Sequence, residues 1–203
     1  LDILQIADII GIISFALSGV LIAVRQNLDI LGIFLSSFLT ALGGGIIRDT
    51  IVDKIPYSLE NTLPALIVIV TIASTFLFKL YKKDNLDRKT IFIISDSIGL
   101  VSFSITGALI AIEAGLNYFG VTLLALITAV GGGSIRDSLI NSVPFVLTSE
   151  FYGSVSVIIA TLIYLLHFFA LDENIYIIFV FIIGIVIRLM AYYKSWKLPK
   201  LNR

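Results

Sequence analysis

Residues 114–135 include no charged side chain, and neither do residues 151–171. Each run is long enough to cross the hydrocarbon core of a bilayer, which takes about 20 apolar residues in helical form. Lipid offers backbone amides and carbonyls no partner, so a segment held there must close its own hydrogen bonds as a helix. A membrane barrel would instead show segments of about 10 residues with alternating polarity, and the sequence lacks that pattern. Comparable apolar runs recur along the chain. They predict seven spanning helices, at 8–25, 30–53, 62–80, 94–113, 118–140, 151–170 and 174–193. Hydrophobic residues make up 58% of the 203 and charged ones only 14%, too little polar sequence to coat a soluble core. The expected fold class is an all-α integral membrane protein, with residues 1–203 as a single membrane domain.

The same composition excludes several functions. Fourteen basic and fourteen acidic residues cancel, so no global field favours nucleic acid. There is no cysteine, which removes disulfides, thiol catalysis and thiolate metal sites. The single histidine, His167, cannot build a multi-histidine metal site and reads as an interfacial residue. No arrangement resembles a membrane protease or a metalloenzyme, so the chain is expected to be neither an enzyme nor a cofactor protein. Asp2 and Asp8 stand where a cleavable signal peptide would carry basic residues, so none is expected.

A shift of 88 residues lays the chain on itself. Asp8 then meets Asp96, Gly11 meets Gly99, Phe15 meets Phe103 and Gly19 meets Gly107. Further on, "GGGIIRDT" beginning at Gly43 meets "GGGSIRDS" beginning at Gly131, and Pro56 meets Pro144. From 8 to 56, 21 of 49 positions are identical without a gap. Each copy holds three predicted spans, 8–80 in the first repeat and 94–170 in the second. Three is odd, so the second copy enters the membrane from the opposite side, giving an inverted-topology pair. The seventh span, 174–193, stands outside the repeat, and 194–203 forms a short basic tail.

Loop charges orient this arrangement. Lys79, Lys82, Lys83, Arg88 and Lys89 lie between spans three and four. Arg188, Lys194, Lys197, Lys200 and Arg203 lie at or after the end of span seven, and Arg25 and Arg136 belong to the same side. Only Arg48 and Lys54 fall on the other. The positive-inside rule places the N-terminus outside and the tail in the cytoplasm. Tyr192, Tyr193 and Trp196 beside lysines read as an interfacial anchor. The basic loop between spans three and four is a solvated turn that also suits anionic headgroups.

The glycine triplets carry the functional reading. A glycine costs about 1 kcal/mol against alanine inside a helix, so Gly43, Gly44 and Gly45, and likewise Gly131, Gly132 and Gly133, are expected to break or kink spans two and five. A break frees carbonyls, and irregular backbone at membrane depth belongs where it is buried in protein or lines a wet cavity. The carbonyl end before each triplet would offer a transient site for K+ or Na+. Arg48, Asp49, Arg136 and Asp137 follow the triplets, and charges at such depth face a bundle interior or a water path. Neighbours on a helix point about 100° apart, so a pairing across the repeats, Arg48 with Asp137 or Arg136 with Asp49, is one expectation. A structural ion-pair network without a pore is the other.

Spans one and four add a polar stripe. Asp8, Gly11, Ser14, Ser18 and Gly19 recur at helical spacing, repeated by Asp96, Gly99, Ser102, Thr106 and Gly107. Thr40 and Thr128 stand near the triplets on spans two and five. One reading is a pore wall with an acidic mouth at each end; the other is close packing of small residues.

Seven spans, a three-plus-three repeat and the paired "GGGIIRD" and "GGGSIRD" resemble the TRIC family, the trimeric intracellular cation channels, in their prokaryotic form. The resemblance covers the chain from Asp8 to about Tyr193. It implies a homotrimer with an hourglass pore in each protomer, lined by spans one, two, four and five, with kinks at 43–45 and 131–133. The pore-facing charges would come from Arg48, Asp49, Arg136 and Asp137. Potassium and sodium would permeate, in the plasma membrane of a prokaryote. The stretch 129–134 has no lysine where animal members carry one, so voltage sensing by such a residue is not implied.

Inverted repeats with broken helices also build secondary transporters, and prokaryotic relatives are at times labelled glycine transporters. A small-solute carrier is therefore the alternative function. A non-transporting scaffold would leave the buried charges without a reason.

Overall fold

The computed structural model describes residues 2–82, 85–148, 151–171 and 173–196. Of the charges read as topology signals, Lys83, Arg88, Lys197, Lys200 and Arg203 fall outside the described residues and side chains. Every regular element among the described residues is helical: α1 (Ile3–Arg25), α2 (Ile30–Ile51), α3 (Tyr57–Glu60), α4 (Leu63–Leu77), α5 (Asn85–Glu113), α6 (Tyr118–Leu139), α7 (Phe145–Thr148), α8 (Tyr152–Phe168) and α9 (Asn174–Tyr193), with one 3-10 turn at Leu80–Lys82.

Local chemistry sets the helix ends. The carboxylate of Asp29 accepts the Gly32 amide at 2.8 Å and the amide oxygen of Asn117 accepts that of Gly120 at 3.0 Å. Both satisfy an orphan donor at a helix start, 88 residues apart. Helices end on residues in the left-handed region, Asn27, Asp53, Lys79, Gly115, Asn141, Ala170 and Ser195, the usual way of turning the chain out of a helix.

Among the described residues, five helices are long and apolar enough to cross a membrane: α1, α2, the Lys89–Glu113 part of α5, α6 and α9. The expected spans at 62–80 and 151–170 come out shorter, as helices of 15 and 17 residues. Pro64 occupies the first turn of α4, where its missing amide costs nothing, and the left-handed Lys79 turns the chain out after Leu77. The left-handed Ala170 does the same after α8.

The core is a four-helix arrangement in which α1 packs on α5 and α2, and α6 packs on α2 and α5. Helix α4 covers α1 and α2, while α8 covers α6 and α5, so the two flanking helices occupy corresponding places in the repeats. Helix α9, which has no counterpart, lies on α8 and α5. Its opposite face exposes Ile175, Ile178, Phe179, Ile182 and Val186, an apolar stripe that suits lipid.

At the centre, Phe15 and Phe103 meet edge to face with centroids 5.2 Å apart. The Phe15 ring covers Gly99 and the Phe103 ring covers Gly11. Each aromatic thus fills the space left open by the glycine of the other repeat, a reciprocal fit available only because both residues of the motif are duplicated. The cluster around them is built mainly of Leu, Ile, Val and Ala.

The expected break at the glycine triplets does not occur. Helix α2 runs without interruption from Ile30 to Ile51 and α6 from Tyr118 to Leu139. Carbonyls before Gly43 and Gly131 therefore stay inside the helix, and no free carbonyl end forms there for a cation. What the glycines provide is proximity. A Cβ on Gly43 would lie 3.2 Å from the Gly132 Cα, one on Gly44 would collide with the Thr128 carbonyl, and one on Gly132 with the carbonyls of Thr40 and Leu39. The backbones of α2 and α6 touch at the triplets, and only glycine permits this. Gly19 and Gly107 serve the same end, the former against Ser36 and Ser37, the latter against Ala125 and Thr128.

Candidate functional site

One turn beyond each triplet an arginine enters the protein interior. Arg48 is 3% exposed and Arg136 2%. Both lie in the last turn of their helix, where the partial negative charge of the C-terminal carbonyls favours a cation. The adjacent aspartate is in the wrong place for that field and is stabilised otherwise. Asp49 accepts the Arg48 Nε–H at 2.7 Å through Oδ1 and the Tyr57 amide at 3.0 Å through Oδ2. Asp137 repeats this with Arg136 Nε at 2.8 Å and the Phe145 amide at 2.8 Å. Tyr57 and Phe145 begin α3 and α7, so each carboxylate ties the end of a long helix to the start of the short one after it.

The expected pairing across repeats is therefore corrected. Each arginine takes the aspartate next to it in sequence, because a long guanidinium stem can swing sideways to a neighbour that a shorter side chain cannot face. What crosses between repeats is the other edge of the guanidinium. Arg48 Nη1 donates to the Thr106 hydroxyl at 3.1 Å and Arg136 Nη1 to the Thr40 hydroxyl at 3.4 Å.

The two clusters differ in their second carboxylate. Asp8 of α1 receives Arg48 Nη1 at 3.0 Å and its side chain is 15% exposed. Its repeat partner Asp96 of α5 is only 3% exposed. It accepts the Ser18 hydroxyl at 3.4 Å and lies within the field of the Arg136 and Arg188 charges. Asp96 is thus a buried group and not the acidic mouth expected of it. Arg188, read from sequence as a topology charge, is fully buried in α9, with Cζ 4.6 Å from the Tyr152 ring centroid.

The other polar candidates are buried as well. Ser14 is 8% exposed, and Ser102 and Thr128 are fully covered. The Thr128 hydroxyl returns to the Leu124 carbonyl at 2.7 Å, and Ser102 packs against Gly11, so these two act as packing residues in this conformation. Sequence reading missed Arg188, Tyr152 and the amides of Tyr57 and Phe145. A lone arginine inside the apolar span 174–193 was the available signal, since an isolated charge at that depth calls for a partner.

A cavity of about 350 Å³ opens onto the first cluster, lined among others by Asp8, Arg48, Asp49, Tyr57, Lys54 and Glu113. A smaller one of about 140 Å³ opens onto the second, lined by Arg25, Arg136, Asp137 and Phe145 among others. The first uses the N-terminal turns of α1 and the C-terminal turn of α5; the second uses the C-terminal turn of α1 and the start of α5. The cavities therefore sit at opposite ends of the bundle, and α1 and α5 run antiparallel. At the rim of the larger cavity Lys54 meets Glu113 at 3.2 Å, with side chains 47% and 65% exposed. Solvent screens such a pair, so Lys54→Gln is expected to cost less than about 1 kcal/mol of unfolding free energy, as checked by thermal unfolding in detergent. Among the described residues no group of histidine, cysteine or carboxylate side chains could hold a metal ion.

Comparison with known proteins matches this arrangement. The family model described as "Glycine transporter" matches residues 5–80 and again 93–168, two segments offset by the same 88 residues. The UPF0126 membrane protein YvgT of Bacillus subtilis is 36% identical over 96% of this chain and 95% of its own. A structure that concerns conductance through TRIC cation channels has a TM-score of 0.85 at 33% identity, over 98% of this chain and 97% of that one. The TRIC orthologue from Rhodobacter sphaeroides has a TM-score of 0.87 at 26% identity, over 96% and 100%. These solved neighbours are ion channels rather than enzymes, and the chain is not an enzyme. The doubled match to the family model, together with the end-to-end likeness to prokaryotic TRIC channels, makes this chain a multi-pass membrane protein of the TRIC family, whose sequence model carries the description of a glycine transporter.

Proposed function

We propose that the chain forms a channel for monovalent cations, potassium among them, with one pore in each protomer of a homotrimer. Seven spans, three plus three inverted and a seventh outside the repeat, would hold it in the plasma membrane of a prokaryote, N-terminus outside and C-terminus cytoplasmic. Ions pass between α1, α2, α5 and α6, beside the glycine triplets, where α2 and α6 bend without breaking. The observation that carries this reading is the buried polar groups of the four central helices, which include an arginine and its aspartate at each end cavity. Arg48 is bonded to Asp8 and Thr106, Arg136 to Thr40, and Ser18 to Asp96. A packing role alone does not call for ionised groups at both ends of an otherwise apolar bundle. The solved relatives described as TRIC cation channels support the same reading.

The test is planar-bilayer recording of the purified protein under a potassium chloride gradient. Discrete current steps that reverse near the potassium potential are expected. A silent bilayer with intact protein, together with glycine counterflow in liposomes, would replace the channel by a carrier. Asp49→Asn and Asp137→Asn retain the shape of the carboxylate and its acceptor for the following amide. Each is expected to lower cation-over-anion selectivity by roughly threefold, since one fixed charge in a narrow low-dielectric path changes local ion concentration by that order. Unchanged reversal potentials in both variants would remove these carboxylates from the path.

A further inference from the structure

Repeat partners that touch one another lie on the axis relating the two halves of the bundle. Phe15 and Phe103 exchange under the 88-residue shift, and their rings meet edge to face with centroids 5.2 Å apart. The glycine triplets meet on the same axis, Gly43 against Gly132 and Gly131 against Gly44. The middle of the bundle is therefore closed by two contacts of different kinds. Between α2 and α6 backbone lies on backbone, with nothing that can turn aside. Between α1 and α5 the contact is made by two side-chain rings, which can swing about their χ angles. Both phenylalanines are 2% exposed. Along α1 the larger cavity reaches as deep as Ile12 and the smaller as Ile22, so Phe15 stands in the intervening stretch of about 15 Å. Phe103 reaches from α5 to the diagonally placed α2. It lines a small cavity of about 20 Å³ together with Ala41, Leu42 and Gly45 of α2 and with Asp8, Arg48 and Asp49 of the first cluster. That volume holds about one water molecule, and the ring is part of its apolar wall.

We propose that Phe15 and Phe103 form the gate of the conduction path: in contact they keep the middle of the bundle dry, and swung apart they let water and cations through. This rests on the channel reading above. Apolar constrictions close a pore by excluding water. In an edge-to-face pair the negative face of one ring is covered by the positive edge of the other, so the closed pair offers a cation no ligand. The seats of the rings suit movement. The Phe103 ring lies over Gly11 and the Phe15 ring over Gly99, and a glycine surface has no Cβ to trap a ring in place. The α2–α6 contact stays shut as the rings move, because its atoms belong to the backbone.

The experiment is bilayer recording of the full-length protein in symmetric potassium chloride, reading the ratio of open to closed time. Phe15→Leu and Phe103→Leu each remove one ring and keep the site apolar. Each should raise the ratio by about threefold to tenfold, the worth of one edge-to-face contact. Both variants lose the same contact, so the double variant should fall well short of the product of their effects. Gly11→Ala and Gly99→Ala test the gate without removing volume, and they stand in for the leucine variants should those fail to fold. The new methyl collides with the Phe103 ring in the first and with the Phe15 ring in the second. It pushes the ring off its seat, and the ratio should rise there too. An unchanged or lowered ratio in the folded variants overturns the inference and leaves the channel intact. Effects that multiply in the double leucine variant overturn it too, since independent packing residues behave that way. A silent unaltered protein beside conducting leucine variants supports a gate held shut. Silence of every one of these proteins overturns the channel reading, and this inference with it.

Discussion

Gly44→Ala and Gly132→Ala are each expected to prevent the native bundle from closing, while Gly45→Ala and Gly133→Ala leave it intact. The four substitutions are chemically the same and lie within the same two motifs. They differ in what the new methyl meets. At Gly44 it meets the carbonyl of Thr128, and at Gly132 the carbonyls of Thr40 and Leu39. These are backbone atoms of a facing helix and cannot turn aside as a side chain can. The helices must separate, and with them the contacts of the whole α2–α6 face. Overpacking costs about 1–3 kcal/mol where side chains can give way, and more is expected where they cannot. At Gly45 and Gly133 the nearest atom is the guanidinium of the motif's own arginine, at 3.8 and 3.7 Å, an ordinary contact. There the gain in helix propensity of about 1 kcal/mol is free to act. Thermal unfolding in detergent, read by size exclusion and circular dichroism, should show a marked loss for the first pair and none for the second. Equal behaviour of all four would mean that α2 and α6 do not meet at the triplets.

The second large effect is expected at Arg48. Arg48→Gln leaves Asp8 and Asp49 side by side, both mostly buried, without the cation that both share. Breaking a buried pair by removing one partner costs about 3–5 kcal/mol. The loss should be largely recovered by Asp8→Asn on the same chain, because the remaining carboxylate, Asp49, retains its bond from the Tyr57 amide. Arg48→Lys should recover little, since an ammonium cannot reach Asp49, Asp8 and Thr106 in three directions as the guanidinium does. A stability difference below about 1 kcal/mol for Arg48→Gln would show that the cluster is open to water and screened.

Helices α2 and α6 show where local propensity ceases to decide the structure. The triplets were visible as three poor helix formers inside an apolar span, and intrinsic propensity alone argues for a break. In the protein the penalty is outweighed by the close contact that the glycines allow, so the helices stay continuous through Gly43 and Gly131. Propensity describes a helix in isolation; packing against a partner decides in a bundle. The Arg48–Asp49 and Arg136–Asp137 bonds are not legible in the sequence for a related reason. Helical geometry places the Cβ atoms about 100° apart, yet it says nothing of where a long flexible side chain ends. In the sequence Arg188 stands near the lysines that follow α9 and reads as a topology charge, whereas its contact with Tyr152 depends on how α9 lies against α8.

Composition and spacing along the chain determined the membrane setting, the helical class and the 88-residue repeat, because lipid forces helices wherever apolar runs are long enough and because a gapless offset is a property of the string itself. The partners of each buried charge, the unbroken helices and the unequal halves were decided by the tertiary structure alone. Those depend on which helices approach and how closely, and the distance between Gly44 and Thr128, or between Arg188 and Tyr152, exists only once the chain has folded.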